Sequence, residues 1–401
     1  MTLNDTPSAN RIHIGFYGKR NSGKSSLINA ITGQQAAIVS DVAGTTTDPV
    51  YKPMEVHGIG PCVFIDTAGF DDEGELGRMR IEQTKKAAEK TDIAVILFSG
   101  EDWTEELKWA EYFQKKKTPL LAVLSKADTL MNPAAKTEAV RKAMGKAGAE
   151  LLVVSANSKE SIAAFREALI CLVPEDYDAK SITGALVKDG DLILLVMPQD
   201  IQAPKGRLIL PQVQTIRDLL DRKCLVMSCT TDKLEETLAA LVRAPKLIIT
   251  DSQVFATVYE KKPAESMLTS FSVLFAEYKG DFAYYKESTK AIENLTEDSR
   301  ILIAECCTHA PLQEDIGRVK LPAMLKKRFG QGLTVDIVSG TDYPKDLSKY
   351  DLIIQCGACM FNKKYVMTRI ERAKEQHVPM SNYGVVIAYL TGILDKITTG
   401  S

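Results

Sequence analysis

The chain has 401 residues, 45% of them hydrophobic and 25% charged, a balance typical of a folded globular protein and not of a disordered or fibrous one. Its formal net charge of −2 provides no broad basic field, so no extensive nucleic-acid surface is expected. Because no apolar run reaches the ~18 residues of a membrane-spanning helix, and the polar start lacks the apolar core of a secretory signal, we expect a cytoplasmic protein with no membrane segment.

The chain order of apolar runs predicts an α/β protein of three domains. Short apolar runs alternate with helical stretches from residue 11 to residue 173, which is typical of a mostly parallel sheet with crossover helices. A polar, turn-rich segment follows, so the first domain is placed at residues 1–175. Its length is usual for a single domain.

Two further α/β domains with mostly parallel sheets are predicted at residues 181–255 and 256–401. The smaller one contains a long connecting segment at 198–211. Because such segments often contact a partner, we expect this domain to dimerise. The last domain is predicted to begin with helices only, as far as Leu295, before its strands.

A phosphate-binding motif lies near the start of the chain. Residues 18–25, Gly-Lys-Arg-Asn-Ser-Gly-Lys-Ser, fit the pattern G-x-x-x-x-G-K-S/T between an apolar strand and a helical run. In this motif backbone N–H groups face the phosphates, Lys24 reaches the β and γ oxygens, and the Ser25 hydroxyl binds Mg²⁺. A glycine-rich turn without function is disfavoured, because strand, motif and helix agree.

Later segments predict that the bound nucleotide is GTP or GDP. Asp66 follows a strand and is placed beside the metal, with the Gly69 N–H near a γ-phosphate. The carboxylate of Asp128 can accept two hydrogen bonds from the N1–H and N2–H₂ edge of guanine, while the Lys126 stem packs on the ring. Adenine has no such donor pair. The predicted nucleotide-binding residues are Gly18, Asn21, Ser22, Gly23, Lys24, Ser25, Ser26, Asp66, Gly69, Ser125, Lys126, Asp128, Ser155 and Ala156.

Two of these segments resemble known GTPases. Ser125-Lys126-Ala127-Asp128 is similar to the Asn-Lys-x-Asp motif of translation-factor-like GTPases, with a serine in place of the asparagine. Residues 41–48, Asp-Val-Ala-Gly-Thr-Thr-Thr-Asp, resemble switch I of the TrmE and Era group. That resemblance implies that Thr46 binds Mg²⁺, together with Ser25 and Asp66, when GTP is present.

The same resemblance bears on hydrolysis. Phe70 stands where many GTPases carry a water-orienting glutamine, and an apolar ring cannot orient water by hydrogen bonding. The TrmE and Era resemblance implies a potassium ion held by Asn21, with Ser40, Val42 and Thr45 as further oxygen donors. The alternative is that Asn21 only stabilises the loop. We expect slow GTP hydrolysis that is faster in K⁺ than in Na⁺, with the catalytic, water-orienting residue unassigned.

Two cysteine segments follow predicted strands of the last domain, at residues 305–309 and 356–359. Because ligands collect beyond the carboxyl ends of strands in open α/β sheets, the two segments can converge on one site. Thiolates from Cys307, Cys356 and Cys359 suit an iron–sulfur cluster or zinc, and redox-active or buried core thiols are alternatives. Four further cysteines are predicted to be core residues: Cys62, Cys171, Cys224 and Cys229.

Over essentially its full length the chain resembles the HydF family of FeFe hydrogenase maturation GTPases. That family joins a TrmE/Era-like G domain to a dimerisation domain and to a cluster domain marked Cys-x-His and, later, His-Cys-x-x-Cys. Here the segments are Cys307-Thr308-His309 and Gln355-Cys356-Gly357-Ala358-Cys359, with Gln355 in the position of the second histidine. The resemblance implies a [4Fe-4S] cluster on Cys307, Cys356 and Cys359. Its fourth position would be exchangeable, with His309 as a ligand or close neighbour.

The resemblance further implies a GTPase and scaffold that acts as a homodimer. Such a protein receives a transient diiron subcluster from radical-SAM maturases and delivers it to apo FeFe hydrogenase, with GTP gating the docking or release of partners. The alternative is a TrmE/Era-type GTPase of RNA modification or ribosome assembly with a zinc-binding C-terminal domain. The near-neutral charge and the lack of a basic, aromatic-interleaved segment count against RNA. A nickel or zinc metallochaperone is disfavoured because His-rich tracts are absent.

Overall fold

The computed structural model describes residues 8–32, 49–70, 74–145, 149–174, 177, 181–198, 208–306 and 316–399. The chain divides into two compact units, Met1–Tyr177 and Asp178–Ser401, and the residues described form three β-sheets. Within the described ranges, no helix combines the length and the apolar character that crossing a bilayer requires.

The first unit contains a six-stranded sheet with helices. Its strands are β1 (Ile12–Gly18), β2 (Val50–Val56), β3 (Gly60–Asp66), β4 (Ile93–Phe98), β5 (Leu120–Ser125) and β6 (Glu150–Val154). Its helices are α1 (Lys24–Thr32), α2 (Gly74–Ala88), α3 (Thr104–Lys115), α4 (Pro133–Met144) and α5 (Lys159–Cys171). The strand order is β2-β3-β1-β4-β5-β6, and every pairing is parallel except that of β2 with β3.

Burial along the strands explains why most of this sheet was predicted. The inner strands β1, β4 and β5 are buried along their whole length, because apolar residues face the layers on both sides of the sheet. They therefore appear in the sequence as continuous apolar runs. The edge strand β2 was not predicted, since it alternates exposed and partly buried residues and contains Pro53, which an edge position tolerates.

The second unit contains two four-stranded parallel sheets, with the orders β10-β9-β7-β8 and β12-β11-β13-β14. The first is built from β7 (Leu192–Val196), β8 (Leu225–Cys229), β9 (Leu247–Thr250) and β10 (Met267–Ser270). The other is built from β11 (Arg300–Ala304), β12 (Thr334–Val338), β13 (Leu352–Gln355) and β14 (Met380–Asn382). The helices are α6 (Leu210–Asp221), α7 (Leu234–Ala239), α8 (Phe255–Lys261), α9 (Phe271–Lys279), α10 (Phe282–Ser288), α11 (Leu321–Phe329), α12 (Lys363–Glu375) and α13 (Tyr383–Leu390).

One apolar core joins the two sheets of the second unit. It contains Leu194 and Ile248 from the first sheet and Leu302 and Ile353 from the other, all completely buried. Burial of this shared apolar surface holds the sheets together. The two predicted C-terminal domains are therefore one compact unit.

The second unit departs from the sequence-based expectation at two short strands. The boundary predicted at residue 255 falls before β10, which pairs in parallel with β9 and so belongs to the first of the two sheets. A helix-only stretch as far as Leu295 is therefore wrong. Both β10 and β14 are three or four residues long and run directly into a helix, so they are too short to show a strand period.

The cysteines predicted to lie in the core differ in burial. Cys62 and Cys224 are buried, as expected, and Cys229 is half-buried. Cys171 is exposed, so its prediction as a core residue is wrong. It ends α5, whose inner face carries Phe165, Ala168 and Leu169, and the apolar run around it continues onto the solvent side of the helix.

A buried histidine in β1 makes the first unit sensitive to acid. The Nδ1 atom of His13 lies 2.9 Å from the carbonyl oxygen of Arg11 and 3.7 Å from Oδ2 of Asp92. Burial lowers the pKa of His13 to about 4, although the Arg11 carbonyl opposes this shift. The unfolded chain therefore binds this proton at a higher pH than the folded unit does.

We predict that the free energy of unfolding of the first unit falls as the pH is lowered from 6.5 to 4, with His13 contributing up to about 3 kcal/mol. His13→Gln should flatten this dependence, because it removes the titrating group. Urea denaturation followed by tryptophan fluorescence reports this unit alone, since both tryptophans, Trp103 and Trp109, lie in it. His57→Gln, the same change at an exposed position, is the control. An unchanged pH dependence in His13→Gln would contradict the assignment.

Candidate functional site

The predicted nucleotide-binding segments meet at one edge of the first sheet. Parallel pairing places Phe16 opposite Asp66 and Ser125 opposite Val154, so β1, β3, β5 and β6 end at the same edge. Each predicted segment begins where one of these strands ends. The sheet therefore brings together motifs that lie far apart in the sequence.

The side chain of Lys24 folds back over the phosphate loop to which it belongs. The Nζ atom of Lys24 donates to the carbonyl oxygens of Gly18, at 2.8 Å, and Lys19, at 2.9 Å. Gly23 has a φ of +95°, a conformation that favours glycine, and Asn21 has a φ of 59°, which asparagine tolerates. The loop thus has the close backbone curvature needed to wrap phosphates, with an ammonium group above it.

The proposed Mg²⁺ ligands Ser25 and Asp66 are in direct contact. Ser25 Oγ donates to Asp66 Oδ2 at 2.7 Å, and Asp66 Oδ1 is buried with no hydrogen-bond partner in the described part of the chain. Burial raises the pKa of Asp66, while the Ser25 hydroxyl and the ammonium of Lys24 lower it. A buried carboxylate oxygen with spare lone pairs beside a hydroxyl fits a hard, oxygen-seeking cation. The third predicted ligand, Thr46, lies outside the described residues.

The predicted base-reading carboxylate is oriented by two neighbours. Asp128 Oδ1 accepts from Ser155 Oγ at 2.9 Å, and Oδ2 accepts from Asn157 Nδ2 at 3.0 Å. These hydrogen bonds, that of Ser155 first, lower the pKa of Asp128, so the group is an ionised acceptor. Asn157 was not predicted. Its position directly after Ser155-Ala156 was the available signal.

Ser125, the residue that departs from the Asn-Lys-x-Asp pattern, still links the two loops. Its Oγ donates to the carbonyl oxygen of Ser22 at 2.7 Å, in the phosphate loop. The stem of Lys126 passes 3.9 Å from the position that a Cβ atom on Gly23 would take. The base-reading segment and the phosphate loop are therefore in contact at both residues.

The remaining predicted residues of this site differ in exposure. Ser26 lies in the first turn of α1, Gly69 is half-buried after β3, and Ala156 follows β6. Asn21 is exposed, and its predicted potassium-binding companions, Ser40, Val42 and Thr45, lie outside the described residues. Phe70 is buried and stacks on Trp109, with ring centroids 6.0 Å apart. Phe70 thus packs in the core and cannot orient water.

The two cysteine segments also meet at a sheet edge. Adjacent parallel strands place Ala304 opposite Gln355, and the backbone N–H of Cys306 donates to Cys356 Sγ at 3.1 Å. Contact with Cys306 lowers the pKa of Cys356. Cys307 and His309 lie outside the described residues. Within the part of the chain that is described, no three His, Cys, Asp or Glu side chains form a metal-binding group.

The Cys-x-x-Cys turn is held in shape by its surroundings. Ala358 has a φ of 51° and is buried, and a Cβ atom on Gly357 would meet open space. The buried ammonium of Lys279 donates to the carbonyl oxygens of Ala358, Cys359 and Phe361 at 3.3, 3.4 and 2.9 Å. Sequence reasoning missed Lys279, because nothing in a helical stretch some eighty residues earlier signals this contact.

Gln355, which stands in the position of the family's second histidine, is a core residue. It is 1% exposed, and its Nε2 lies 3.5 Å from the hydroxyl of Tyr285. Its Oε1 has no hydrogen-bond partner in the described part of the chain. A side chain so placed packs inside the unit.

Three family models match the chain. Residues 182–280 match the model described as "Hydrogen maturase F dimerization domain", and residues 283–399 match "Hydrogen maturase F tetramerization domain". Residues 13–126 match the model described as "50S ribosome-binding GTPase". The two maturase models adjoin one another and together span more than half of the chain, downstream of a GTPase domain.

The chain belongs to the HydF family. Its first unit is a P-loop GTPase domain that binds GTP or GDP with Mg²⁺ and hydrolyses GTP, as the sequence predicted. The sheets and helices after it confirm the predicted α/β class, and the match to both maturase models places this GTPase in hydrogenase maturation. The boundary between the two HydF models, after residue 280, follows β10 and α9. The descriptions of these models indicate that the chain carries oligomerisation domains.

Two curated proteins similar to part of this chain are themselves described as GTPases. GTPase Der of Wolinella succinogenes is 44% identical over 98 residues, covering 24% of this chain and 20% of that protein. The tRNA modification GTPase MnmE of Endomicrobium trichonymphae is 40% identical over 126 residues, covering 29% and 27%. This chain thus spans about a fifth to a quarter of the length of these relatives.

Among solved structures, Era in complex with MgGDPNP and a 16S ribosomal RNA fragment is 17% identical, with a TM-score of 0.35. That match covers 54% of this chain and 92% of Era. The probable GTP-binding protein engB is 18% identical with a TM-score of 0.33, covering 40% of this chain and 98% of that one.

Base selection by Asp128 can be tested by exchanging its acceptor for a donor. Asp128→Asn should weaken GTP binding about 10- to 100-fold, because guanine donors are left unpaired. The variant should gain affinity for xanthosine triphosphate, whose ring carries an acceptor oxygen in place of the guanine amino group. Competition against a fluorescent GDP analogue measures all three nucleotides, with ATP as the reference. Asp298→Asn, at an exposed site of the second unit, is the control. Equal binding of GTP and ATP by the unaltered chain would remove the guanine assignment.

Proposed function

We propose that this HydF-family chain is a GTPase and iron–sulfur scaffold that assembles or delivers the diiron subcluster to apo FeFe hydrogenase. The observation that carries the proposal is the hydrogen bond from the Cys306 amide to Cys356 Sγ. It links the segment that contains Cys307 to the Cys-x-x-Cys turn. Cys307 is the next residue along the chain, and the proposal takes its thiolate as the third cluster ligand.

The chemistry of the described donors fits an iron–sulfur cluster. Cys356 and Cys359 are half-buried thiols at the end of β13, and Cys356 already accepts a backbone N–H bond, as cluster sulfurs commonly do. Asn382 Nδ2 lies 3.4 Å from the Cys356 carbonyl oxygen and fixes the turn from the next strand. We propose a [4Fe-4S] cluster on Cys307, Cys356 and Cys359.

The fourth cluster position is proposed to be exchangeable. A cluster held by three thiolates leaves one iron open to an exchangeable ligand, at which a diiron substrate can be held and later released. The burial of Gln355 supports this, since its amide packs beside Tyr285 in the core. His309 is then the candidate for a ligand or a close neighbour of that position.

GTP is proposed to gate the docking and release of partners. The nucleotide-binding residues belong to the first compact unit and the cluster cysteines to the second, so GTP hydrolysis and cluster chemistry use separate residues. We propose that radical-SAM maturases supply the diiron precursor and that apo-hydrogenase receives it, in the cytoplasm. The near-neutral charge and the two maturase domains favour this over a role in RNA modification.

A homodimer is proposed to form through the first sheet of the second unit. Its outer strand β8 exposes Leu225, at 55%, and Met227, at 42%, and the neighbouring α6 exposes Leu220. An exposed apolar strand at a sheet edge is a template for pairing with another chain. A second copy placed across a twofold axis would cover this surface.

The ligand set can be tested by anaerobic reconstitution of the full chain with iron and sulfide. Single Cys307→Ala, Cys356→Ala and Cys359→Ala changes should each abolish the brown colour or reduce iron content strongly, because three thiolates are required. GTP hydrolysis should persist. Cys171→Ala, an exposed cysteine of the first unit, should stay brown and is the control.

Three results would contradict all or part of the proposal, the last of them from an additional Cys306→Ala variant. Retention of the cluster in the Cys356→Ala and Cys359→Ala variants would show that the turn is not the binding site. A colourless chain with stoichiometric zinc, from cells that load iron–sulfur clusters into other proteins, would support the zinc-binding alternative. Loss of colour in Cys306→Ala but not in Cys307→Ala would show that Cys306, and not Cys307, is the third cluster ligand.

Potassium activation can be tested at matched ionic strength. We propose that GTP hydrolysis is slow and faster in KCl than in NaCl, because a bound K⁺ offsets charge on the transferred phosphoryl group. Asn21→Gly should remove the difference, since glycine keeps the positive φ of the loop without the side-chain oxygen. Fluorescent-nucleotide binding should persist, and Asn21→Asp, which keeps an oxygen, is the control. Equal rates of GTP hydrolysis by the unaltered chain in both salts would refute potassium activation. A difference that persists in Asn21→Gly would exclude Asn21 as a potassium ligand.

A further inference from the structure

Two cations are buried beside the cysteine segments. Lys279, on α9, is 2% exposed, and Arg369, on α12, is 1% exposed. Lysine and arginine are almost never fully buried unless an opposite charge compensates them. Neither forms an ion pair with a carboxylate in the described part of the chain. Their positive charges therefore call for a different counter-charge.

The hydrogen-bond partners of Lys279 are uncharged carbonyl groups in the Cys-x-x-Cys turn and just after it. Its ammonium donates to three carbonyl oxygens between residues 358 and 361, one of them that of Cys359 itself. Burial lowers the pKa of Lys279 to about 8, and the neighbouring sulfur atoms of Cys359, Cys306 and Cys356 oppose that shift. In the described part of the chain, the groups that favour the charged form of this ammonium are therefore cysteine sulfurs.

Arg369 contacts the other cysteine segment, at Cys306. One terminal nitrogen lies 3.5 Å from Cys306 Sγ, and the other donates to the carbonyl oxygen of Gly340 at 2.5 Å. The guanidinium is enclosed by the rings of Tyr343, Phe361 and Tyr365, whose centroids lie 4.8 to 5.1 Å from its carbon. These rings hold a cation without neutralising it, and the Nε atom has no partner in the described part of the chain.

We infer that Lys279 and Arg369 form a buried cationic floor that compensates the negative charge of the cluster and raises its reduction potential. This inference rests on the proposed function. Three thiolates and a [4Fe-4S] core carry net negative charge, and one-electron reduction adds to it. Fixed positive charges in a low-dielectric interior stabilise the reduced form more than the oxidised form. The two residues position and stabilise the cluster, and neither is a ligand.

The inference can be tested by removing each charge while keeping the side-chain stem. The full-length Lys279→Met and Arg369→Met variants are reconstituted anaerobically with iron and sulfide, and their reduction potentials are measured by titration followed by electron paramagnetic resonance. We expect each potential to become more negative by at least the equivalent of a tenfold change in the reduction equilibrium, about 59 mV. Arg369→Lys, which keeps the charge, should retain most of the unaltered potential.

The matched control is Arg372→Met, on the same helix. Arg372 also stacks on Tyr343, at 5.6 Å, but it is half-buried and bonds to the Pro344 carbonyl. Its potential should not change. If Arg369→Met fails to fold, Lys279→Met and Arg369→Lys still decide the question, with GTP hydrolysis and iron content as measures of an intact chain.

The outcomes separate this inference from the proposed function. Charge-removing variants that bind normal amounts of iron at an unchanged potential would show that the two residues only pack, while the scaffold proposal would stand. A parallel shift in Arg372→Met would attribute the effect to general disturbance of α12 and would also overturn the inference. An unaltered chain that binds no cluster would overturn both.

Discussion

Parallel pairing of neighbouring strands is the constraint on which both sites depend. In the first sheet it aligns β1 with β3, so that the phosphate loop begins beside Asp66. In the last sheet it aligns Ala304 with Gln355, so that Cys306 and Cys356 follow side by side. Loops that leave one edge of such a sheet meet in space whatever their distance in sequence. A slip of register in either sheet would separate groups that now lie within hydrogen-bond distance.

The two sites treat charge in a related way. Lys24 and Lys279 are both buried ammonium groups that donate to backbone carbonyls of the loop they serve. Carbonyl dipoles hold each cation in place, while an anion, phosphate in one site and a sulfur-bound cluster in the other, would supply the compensating charge. Such preorganised charge requires little rearrangement when the anion binds. The GTPase unit and the proposed cluster site thus share one electrostatic arrangement.

Much of the fold was predictable from the sequence because the signals were strong and local. The phosphate loop is a contiguous motif, and the inner strands are continuous apolar runs, so both were located almost to the residue. Short strands were missed for the opposite reason. Met267–Ser270 and Met380–Asn382 run straight into apolar helices, and their pairing is decided by tertiary contacts.

Contacts between residues far apart in the sequence limit how much of the two sites can be predicted. The donation of Asn157 to Asp128 could have been suspected, since Asn157 adjoins a recognised dipeptide. The approach of Arg369 to Cys306 could not. Its spacing of four residues from Tyr365 and Ala373 places it on the buried face of α12, but a basic side chain there normally extends to solvent and the spacing does not name its partner. Tertiary packing decides which of many surface-type residues is taken into the core. The electrostatics of the cluster site is therefore visible only in the fold.

Gln355 is the residue at which sequence and fold together say more than either alone. By resemblance it replaces a histidine, which suggests a lost ligand. In the structure its side chain is buried beside Tyr285, and its Oε1 has no hydrogen-bond partner in the described part of the chain. The side chain therefore packs in the core. An amide oxygen is a poor iron ligand, and a buried one cannot exchange with a substrate. Position 355 therefore contributes to the packing of the turn, and the proposed open coordination site depends on the three thiolates.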